Sequence, residues 1–468
     1  MTNPSAGSPR PRNGSSETEL SPRLPAVLKS PAVKCVLIGL LTIVLLIPST
    51  LVWILVEERS DRARDVATDI ARSWGGTQTV NGPYLVIPFT ETVHVGEGEK
   101  RKKEVRHRTA VLFPERLEVT GDVDVEERRK SIYKLPVYQG KFALTGRFTA
   151  PPPGMFEPVH GGTIAIAAGK AAVVLGISDV RALRSEVALS VSKSATVQFE
   201  PGLGPLAKHG GSGINAAILP AVWQKGFSFD MTLQLNGSRS IYVAPAGQTT
   251  LVKLQSDWPH PGFTGAFLPE NREITETGFK AAWTIPYLAR GIPKMLETST
   301  LPLSDKLMGV KFVEPVNFYQ TISRSLKYAI GFISLTFLAV FVLEMRSTWQ
   351  FHWIQYGLVG IALIIFYLML LALSEHIGYG PAYLVAASAA TVLNTVYVGT
   401  SLKSRSAGVI MALVLGGVFG ALYALMREQD YALLIGAIIA FAALAVTMFA
   451  TQRIDWSGAR PLQPSTSS

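Results

Sequence analysis

The chain divides by the period of its apolar residues before any other feature is considered. Residues 32–56 form an apolar run long enough to cross roughly 30 Å of hydrocarbon at about 1.5 Å per residue. A secretory h-region is shorter and begins nearer the N-terminus. No clear A-x-A site follows this run, which leads straight into Glu57-Glu58-Arg59, so it reads as a retained anchor. From Glu57 to Trp74 the period becomes that of an amphipathic helix. Ala63, Val66, Ala67 and Ile70 share one side, Arg62, Arg64, Asp65 and Asp69 take the others, and Gly75-Gly76 ends it.

Beyond Gly82-Pro83, strand signals dominate to about residue 290, broken by Gly and Pro every dozen residues or so. Residues 187–199 and 227–235 are examples, whereas 151–170 and 201–220, rich in Pro, Gly and small residues, read as surface connections. Past residue 326 the chain is nearly all apolar. Spans are predicted at 327–343, 353–373, 382–399, 407–425 and 431–450, with short connections that imply antiparallel neighbours. The expected fold is thus an α+β membrane protein. An N-terminal membrane helix (32–56) precedes a β-rich extracytoplasmic domain (57–326, opening with the juxtamembrane helix 57–74). A five-helix bundle (327–450) follows, and the tails are 1–31 and 451–468.

Within the β-rich region, Phe113-Pro114-Glu115 followed by Glu118-Val119-Thr120 resembles Leu268-Pro269-Glu270 followed by Glu273-Ile274-Thr275. Each is followed by an aromatic and a proline, Tyr133 with Pro136 and Trp283 with Pro286. A duplicated β-module and a recurring turn-then-strand idiom both fit.

Charge orients the bundle. The leading tail carries Arg10, Arg12, Arg23, Lys29 and Lys34. If it is cytoplasmic, the other cytoplasmic segments hold Arg346, then Lys403 and Arg405, then Arg453 and Arg460, while the two short outside turns hold only Arg427. Lys and Arg accumulate on the cytoplasmic side, so both termini are expected inside and 57–326 outside. Trp53, Trp349, Trp353 and Trp456 lie near span ends, where an indole prefers the headgroup layer. Gly416 and Gly420 make a G-x-x-x-G step that would allow close helix packing.

Composition narrows the partners. Charged residues are 17% of the chain, below the usual quarter. The net charge of +10 arises from Lys and Arg interspersed with Asp and Glu, without the basic stripe that nucleic acid requires, so membrane lipids rather than nucleic acid are the expected contact. With Cys35 as the single cysteine, no intrachain disulfide can form, and the outer domain must hold itself by burial.

Several strings resemble the CreD family of inner-membrane proteins. Ser73-Trp74-Gly75-Gly76-Thr77-Gln78 and Leu235-Asn236-Gly237-Ser238-Arg239-Ser240 are two of them. Gln255-Ser256-Asp257-Trp258-Pro259-His260-Pro261, running into Phe263-Thr264-Gly265-Ala266-Phe267-Leu268-Pro269, is a third. In the membrane part, Phe312-Val313-Glu314-Pro315-Val316, Ser374-Glu375-His376-Ile377-Gly378, Glu428-Gln429-Asp430-Tyr431 and Arg453-Ile454-Asp455-Trp456 agree. The resemblance runs over about residues 57–456. It implies a bacterial inner-membrane protein of cell-envelope integrity, associated with a two-component regulatory system and altered β-lactam susceptibility. It implies no reaction, cofactor or catalytic residue.

The residues themselves point to little chemistry. No G-x-x-x-x-G-K loop is present, nor a G-x-G-x-x-G after a strand, and the seven histidines lack H-E-x-x-H or other ligand spacing, so neither cofactor nor metal is expected. Ser374-Glu375-His376, at the outer end of a span, could relay protons or bind a headgroup, or be a solvated turn. With Arg427, Glu428 and Asp430 on the neighbouring outer turn, Glu375 and His376 could form a polar patch that docks the β-domain. Asp257, Trp258 and His260, stiffened by Pro259 and Pro261, could be a recognition tip or a packed structural turn. The leading expectation is a non-enzymatic envelope protein whose outer domain binds a wall, lipid or protein partner. A transporter or lipid-handling channel in the bundle is the alternative, and a hydrolase using Ser374 or His376 is a distant third.

Overall fold

The computed structural model describes residues 31–95, 102–152, 154–159, 161–209, 211–298, 300–313, 318–427 and 432–452. It separates into two compact units, Glu57–Gln320 and the pair Met1–Val56 with Thr321–Ser468.

In chain order the strands are β1 Gln78–Val95, β2 Lys102–Leu112, β3 Arg116–Lys130, β4 Tyr133–Phe148, β5 Thr163–Ile166 and β6 Ala172–Ile177. Next come β7 Ala188–Val191, β8 Ala195–Gln198, β9 Glu200–Pro201, β10 Gly213–Ala217, β11 Phe227–Ser238 and β12 Ser240–Val243. The last are β13 Thr249–Ser256, β14 Pro261–Gly265, β15 Asn271–Thr275, β16 Gly278–Ile285, β17 Met295–Glu297 and β18 Met308–Phe312. They form two sheets. One follows the order β14-β18-β12-β1-β6-β10-β9, with β2 and β5 also on β1 and β17 on β2; the other runs β15-β16-β13-β3-β4-β11-β7-β8.

One core joins the two sheets. Val80, Leu85 and Val174 of the first and Leu117, Phe142 and Leu233 of the second belong to a single buried cluster. Burial alternates strictly along most of β3 and β11, as expected where one face meets the core and the other solvent. Every residue of β6 is buried, because both of its faces are covered. Leu203, Leu206 and Leu303, from connections, join the core.

The structure departs from the sequence-based expectation in three stretches, of which 151–170, read as a surface connection, contains β5 paired with β1. Residues 187–199 are not one strand but the hairpin β7–β8, turned at Ser192 and Lys193 with φ of 46° and 58°. The alternation continues through the turn and so concealed it. The 201–220 stretch is not all surface connection either, since it contains β10, paired with β6 along its whole length. The two echoed strings begin the hairpins β3–β4 and β15–β16 of the same sheet, the first central and the second at its edge.

The helices are α1 Pro31–Val44, α2 Leu46–Trp74, the single turns α3 Pro220–Trp223 and α4 Tyr287–Arg290, then α5 Phe318–Lys327 and α6 Ala329–Met345. After these come α7 Trp353–Ile377, α8 Tyr379–Ser401, α9 Arg405–Arg427 and α10 Ala432–Thr451. Toward its C-terminus α2 lays Ala67, with Ile70, Ala71 and Trp74, onto Leu135 and Val137 of β4. Among the described residues four helical stretches are long and apolar enough to cross a bilayer: Val33–Trp74, Trp353–Ile377, Tyr379–Ser401 and Arg405–Arg427. Counting the pair α5–α6, bent by 51° at Tyr328, as one span makes five.

Two expectations about the bundle are corrected. Gly416 and Gly420 are exposed, and a Cβ built on either meets nothing within 4 Å, so the G-x-x-x-G step is not a helix contact within this unit. Backbones approach instead at Gly399 and Gly408, where a Cβ on Gly399 would lie 3.4 Å from the Cα of Gly408. Lys34 does not belong to a solvated tail, because it lies within α1.

Candidate functional site

Lys34 meets a carboxylate inside the bundle. Its ammonium donates to Glu344 Oε1, and the Glu344 side chain is 1% exposed. The backbone N–H of Phe351 donates to the same oxygen at 2.7 Å, and the Tyr356 hydroxyl to Oε2 at 2.8 Å. Local structure sets this up. α6 ends at Met345, the connection folds back, and α7 starts with a capping box in which His352 and Gln355 satisfy each other's backbone N–H groups. Tyr356, held edge-on by Phe337 at 5.7 Å, then points at Glu344 one turn into α7. A buried ion pair is tolerated when its remaining lone pairs are satisfied, which is the case here. Glu344 lies one residue beyond the predicted span 327–343, near the C-terminal end of α6 and not at its middle.

At the other end of α7 the structure gathers tyrosines. Tyr379 and Tyr423 stack with centroids 6.5 Å apart, and Tyr383 lies 5.1 Å from Tyr423. The Tyr383 hydroxyl donates to Phe419 O at 2.6 Å and the Tyr367 hydroxyl to Ser325 O at 3.4 Å. Of Ser374-Glu375-His376, Ser374 is the buried member, Glu375 is half-buried and His376 is exposed. Arg427 is exposed at the end of α9, and Glu428 and Asp430 lie outside the described residues. Sequence reasoning passed over Tyr379, Tyr383 and Tyr423. Their signal was the i, i+4 spacing of the first two, which puts them on one helix face.

In the β-unit, Asp257-Trp258-Pro259-His260 carries the chain from β13 in one sheet to β14 in the other. Asp257 Oδ1 accepts from Val125 N at 2.9 Å, and the half-buried Trp258 indole packs on the core and donates to Val313 O at 3.1 Å. The Trp258 side chain is thus engaged within the domain, so it is not a free recognition tip; His260 is exposed. Asp257 also lines an open groove of about 400 Å³ with Asp122, Asp124, Glu273, Thr275 and Lys280. Four carboxylates against one ammonium make it acidic. Among the described residues no group of three or more His, Cys, Asp or Glu side chains is placed to hold a metal.

Other charges of this unit are structural. Glu91, fully buried, receives Arg108 Nη1 at 2.8 Å, while Arg108 Nε donates to Glu297 at 2.8 Å, tying β1, β2 and β17 together. Arg290 is fully buried and donates to the carbonyls of Gly247, Ile292 and Pro293 at 3.2, 2.9 and 3.1 Å. It lies 4.2 Å above the Phe113 ring, and burial pushes its guanidinium below the usual arginine range. Burial likewise pushes the phenols of Tyr84 and Tyr138 up.

Two of the strings that carry the family resemblance meet in space. Ser238 N donates to Gly76 O at 3.0 Å, Thr77 Oγ1 and Ser240 Oγ lie 3.2 Å apart, and the Tyr138 hydroxyl donates to Ser240 O at 3.0 Å. Arg239, with φ of 63°, turns the chain there from β11 in one sheet to β12 in the other.

An N-terminal apolar helix, a central two-sheet β-region and a C-terminal group of apolar helices define the class: an integral membrane protein with a large β-domain. The chain belongs to the CreD family, the model for inner membrane protein CreD matching residues 30–457. It is 34% identical over 417 residues to the inner membrane protein CreD of Escherichia coli (strain K12), covering 88% of this chain and 91% of that protein. It is accordingly an envelope-associated inner-membrane protein.

Proposed function

We propose that this protein supports cell-envelope integrity or the envelope-stress response without catalysing a reaction, its β-domain acting as a periplasmic binding or scaffold module. The observation that carries this reading is the acidic groove of Asp122, Asp124, Asp257 and Glu273, which leaves carboxylates open to a partner. The buried charges of the same unit, by contrast, are engaged in holding strands and loops together. A cationic segment of an envelope protein or an amine-bearing wall component fits such a groove. The Lys and Arg distribution supports both termini in the cytoplasm and residues 57–326 in the periplasm.

The test is a rescue assay in a strain lacking the native protein, reading envelope permeability to a large dye at matched expression. Asp122→Asn/Asp124→Asn/Glu273→Gln is expected to lose rescue while remaining folded and membrane-inserted. Rescue equal to the unmodified chain would overturn the groove reading. A second reading, a transporter or lipid-handling channel, is favoured by the 51° break between α5 and α6. Fusing residues 1–326 to an unrelated, topology-matched membrane segment separates the two. Rescue supports the binding module, and failure at equal expression moves the channel ahead.

A further inference from the structure

A groove of about 360 Å³ runs between α7 and α8, lined by apolar side chains including Leu358, Ile361, Ile365, Met369 and Leu393. Its polar members offer little to a polar ligand. Asn394 is buried and donates to Ala390 O of its own helix at 2.9 Å, and Tyr397 sits at the end nearest Leu358. From Leu358 to Met369 a helix rises roughly 16 Å, close to the hydrocarbon depth of one leaflet.

The Tyr397 end of this groove adjoins a basic and aromatic edge. The Tyr397 ring packs edge-on against Phe351 at 6.4 Å, and Gln355 Nε2 donates to Ser401 Oγ at 3.4 Å, so the α6–α7 and α8–α9 connections lie side by side. On them the Lys403 ammonium sits 3.7 Å over the Trp349 ring. Arg346, directly after α6, and Arg405, the first residue of α9, are exposed, as are Lys403 and Trp349. No acidic residue lies between Arg346 and His352 or between Leu402 and Ser406.

We propose that this is a binding site for an anionic phospholipid, with one acyl chain in the α7–α8 groove and the phosphate against Lys403 and its neighbouring guanidinium groups. Charge complementarity and depth both select this occupant. The groove is apolar for one leaflet's length and ends where cations and an indole gather, as a chain with an anionic head requires. Trp349 holds the ammonium in place by its ring face, leaving the Nζ protons directed to the phosphate.

The test is native mass spectrometry of the full chain, delipidated in mild detergent and supplied with equal phosphatidylglycerol and phosphatidylcholine. The unmodified chain should retain phosphatidylglycerol about fivefold more, the effect of one cation close to an anionic headgroup. Lys403→Gln should lower that ratio, and Arg346→Gln/Lys403→Gln/Arg405→Gln should bring it close to one. Leu393→Trp, which fills the groove from an exposed position, should lower retention of both lipids, and Val409→Trp, exposed on α9, should change neither. Thermal melting would confirm that the variants fold, with Ile365→Trp as a second groove-filling change. Equal retention of the two lipids by the unmodified chain would overturn the site. So would full retention by folded Leu393→Trp and Ile365→Trp, or a mass of two chains with no lipid.

Discussion

Glu344 and Lys34 have unequal freedom, and that sets what their replacement does. The Glu344 side chain is 1% exposed and that of Lys34 19%. An unpaired Lys34 can therefore extend its long stem toward the interface, while an unpaired Glu344 cannot leave. Lys34→Met is expected to destabilise by about 3–5 kcal/mol, the range for stranding a buried charge. Glu344→Gln should cost less, and the double variant should recover much of the Lys34→Met loss. Unfolding midpoints in one detergent, read as a double-mutant cycle, check the order; equal single losses that simply add would contradict it. Arg290 is a similar case in the β-unit. Its fork serves three carbonyls and its face covers Phe113, so Arg290→Lys should cost at least about 2 kcal/mol although charge is conserved. Neither position was legible in the sequence. Lys34 and Glu344 are separated by 310 positions, and Arg290 is one cation in a mixed-charge region.

Strands and helices show how pattern and packing divide the work. β3 and β11 announce themselves by alternation, because each has one face in the core. Their glycines follow a different logic. Gly237 on β11 lies under the ring of Tyr138 across the strand pair, and a Cβ there would overlap that ring. Gly237→Ala must displace Tyr138 from its bond to Ser240 O, at an expected cost of about 1–3 kcal/mol. Pairing it with Tyr138→Ala should remove most of the alanine's own penalty; an unchanged penalty would show that the ring is not the cause. The start of α7 depends on His352 as its N-cap, whose imidazole accepts from Ile354 N at 3.4 Å. His352→Ala should lower the melting midpoint by a stability loss of about 0.5–2 kcal/mol.

Orientation belongs to the chain's full course across the bilayer. Alkaline phosphatase fused after Ser304 is expected to be active, and after Lys403 inactive, because the connections rich in Lys and Arg stay in the cytoplasm. Inactive enzyme after Ser304 with active enzyme after Lys403 would reverse the arrangement proposed for residues 57–326. The same cations supply the headgroup end of the proposed lipid site, so in the proposed orientation the lipid would come from the cytoplasmic leaflet.

The apolar runs, the Gly and Pro punctuation and the strings shared with the CreD family were enough to read this fold class and its family from the sequence. Those signals are local: a membrane span or a half-buried strand shows its solvent in its own period. The sites were not local. The sequence left Ser374-Glu375-His376 open between a functional group and a solvated turn, since a helix turns adjacent residues about 100° apart; the structure adds that of the three only Ser374 is buried. Trp258, followed by Pro259 and Pro261, could be read as a tip or as a packed turn, and its indole donates a hydrogen bond to Val313 O, 55 positions away. Which charges are paired, which glycines lie beneath rings, and where a groove meets a basic edge depend on contacts between distant segments. Only the tertiary structure decides those, because burial energy is set by the neighbour in space and not by the neighbour along the chain.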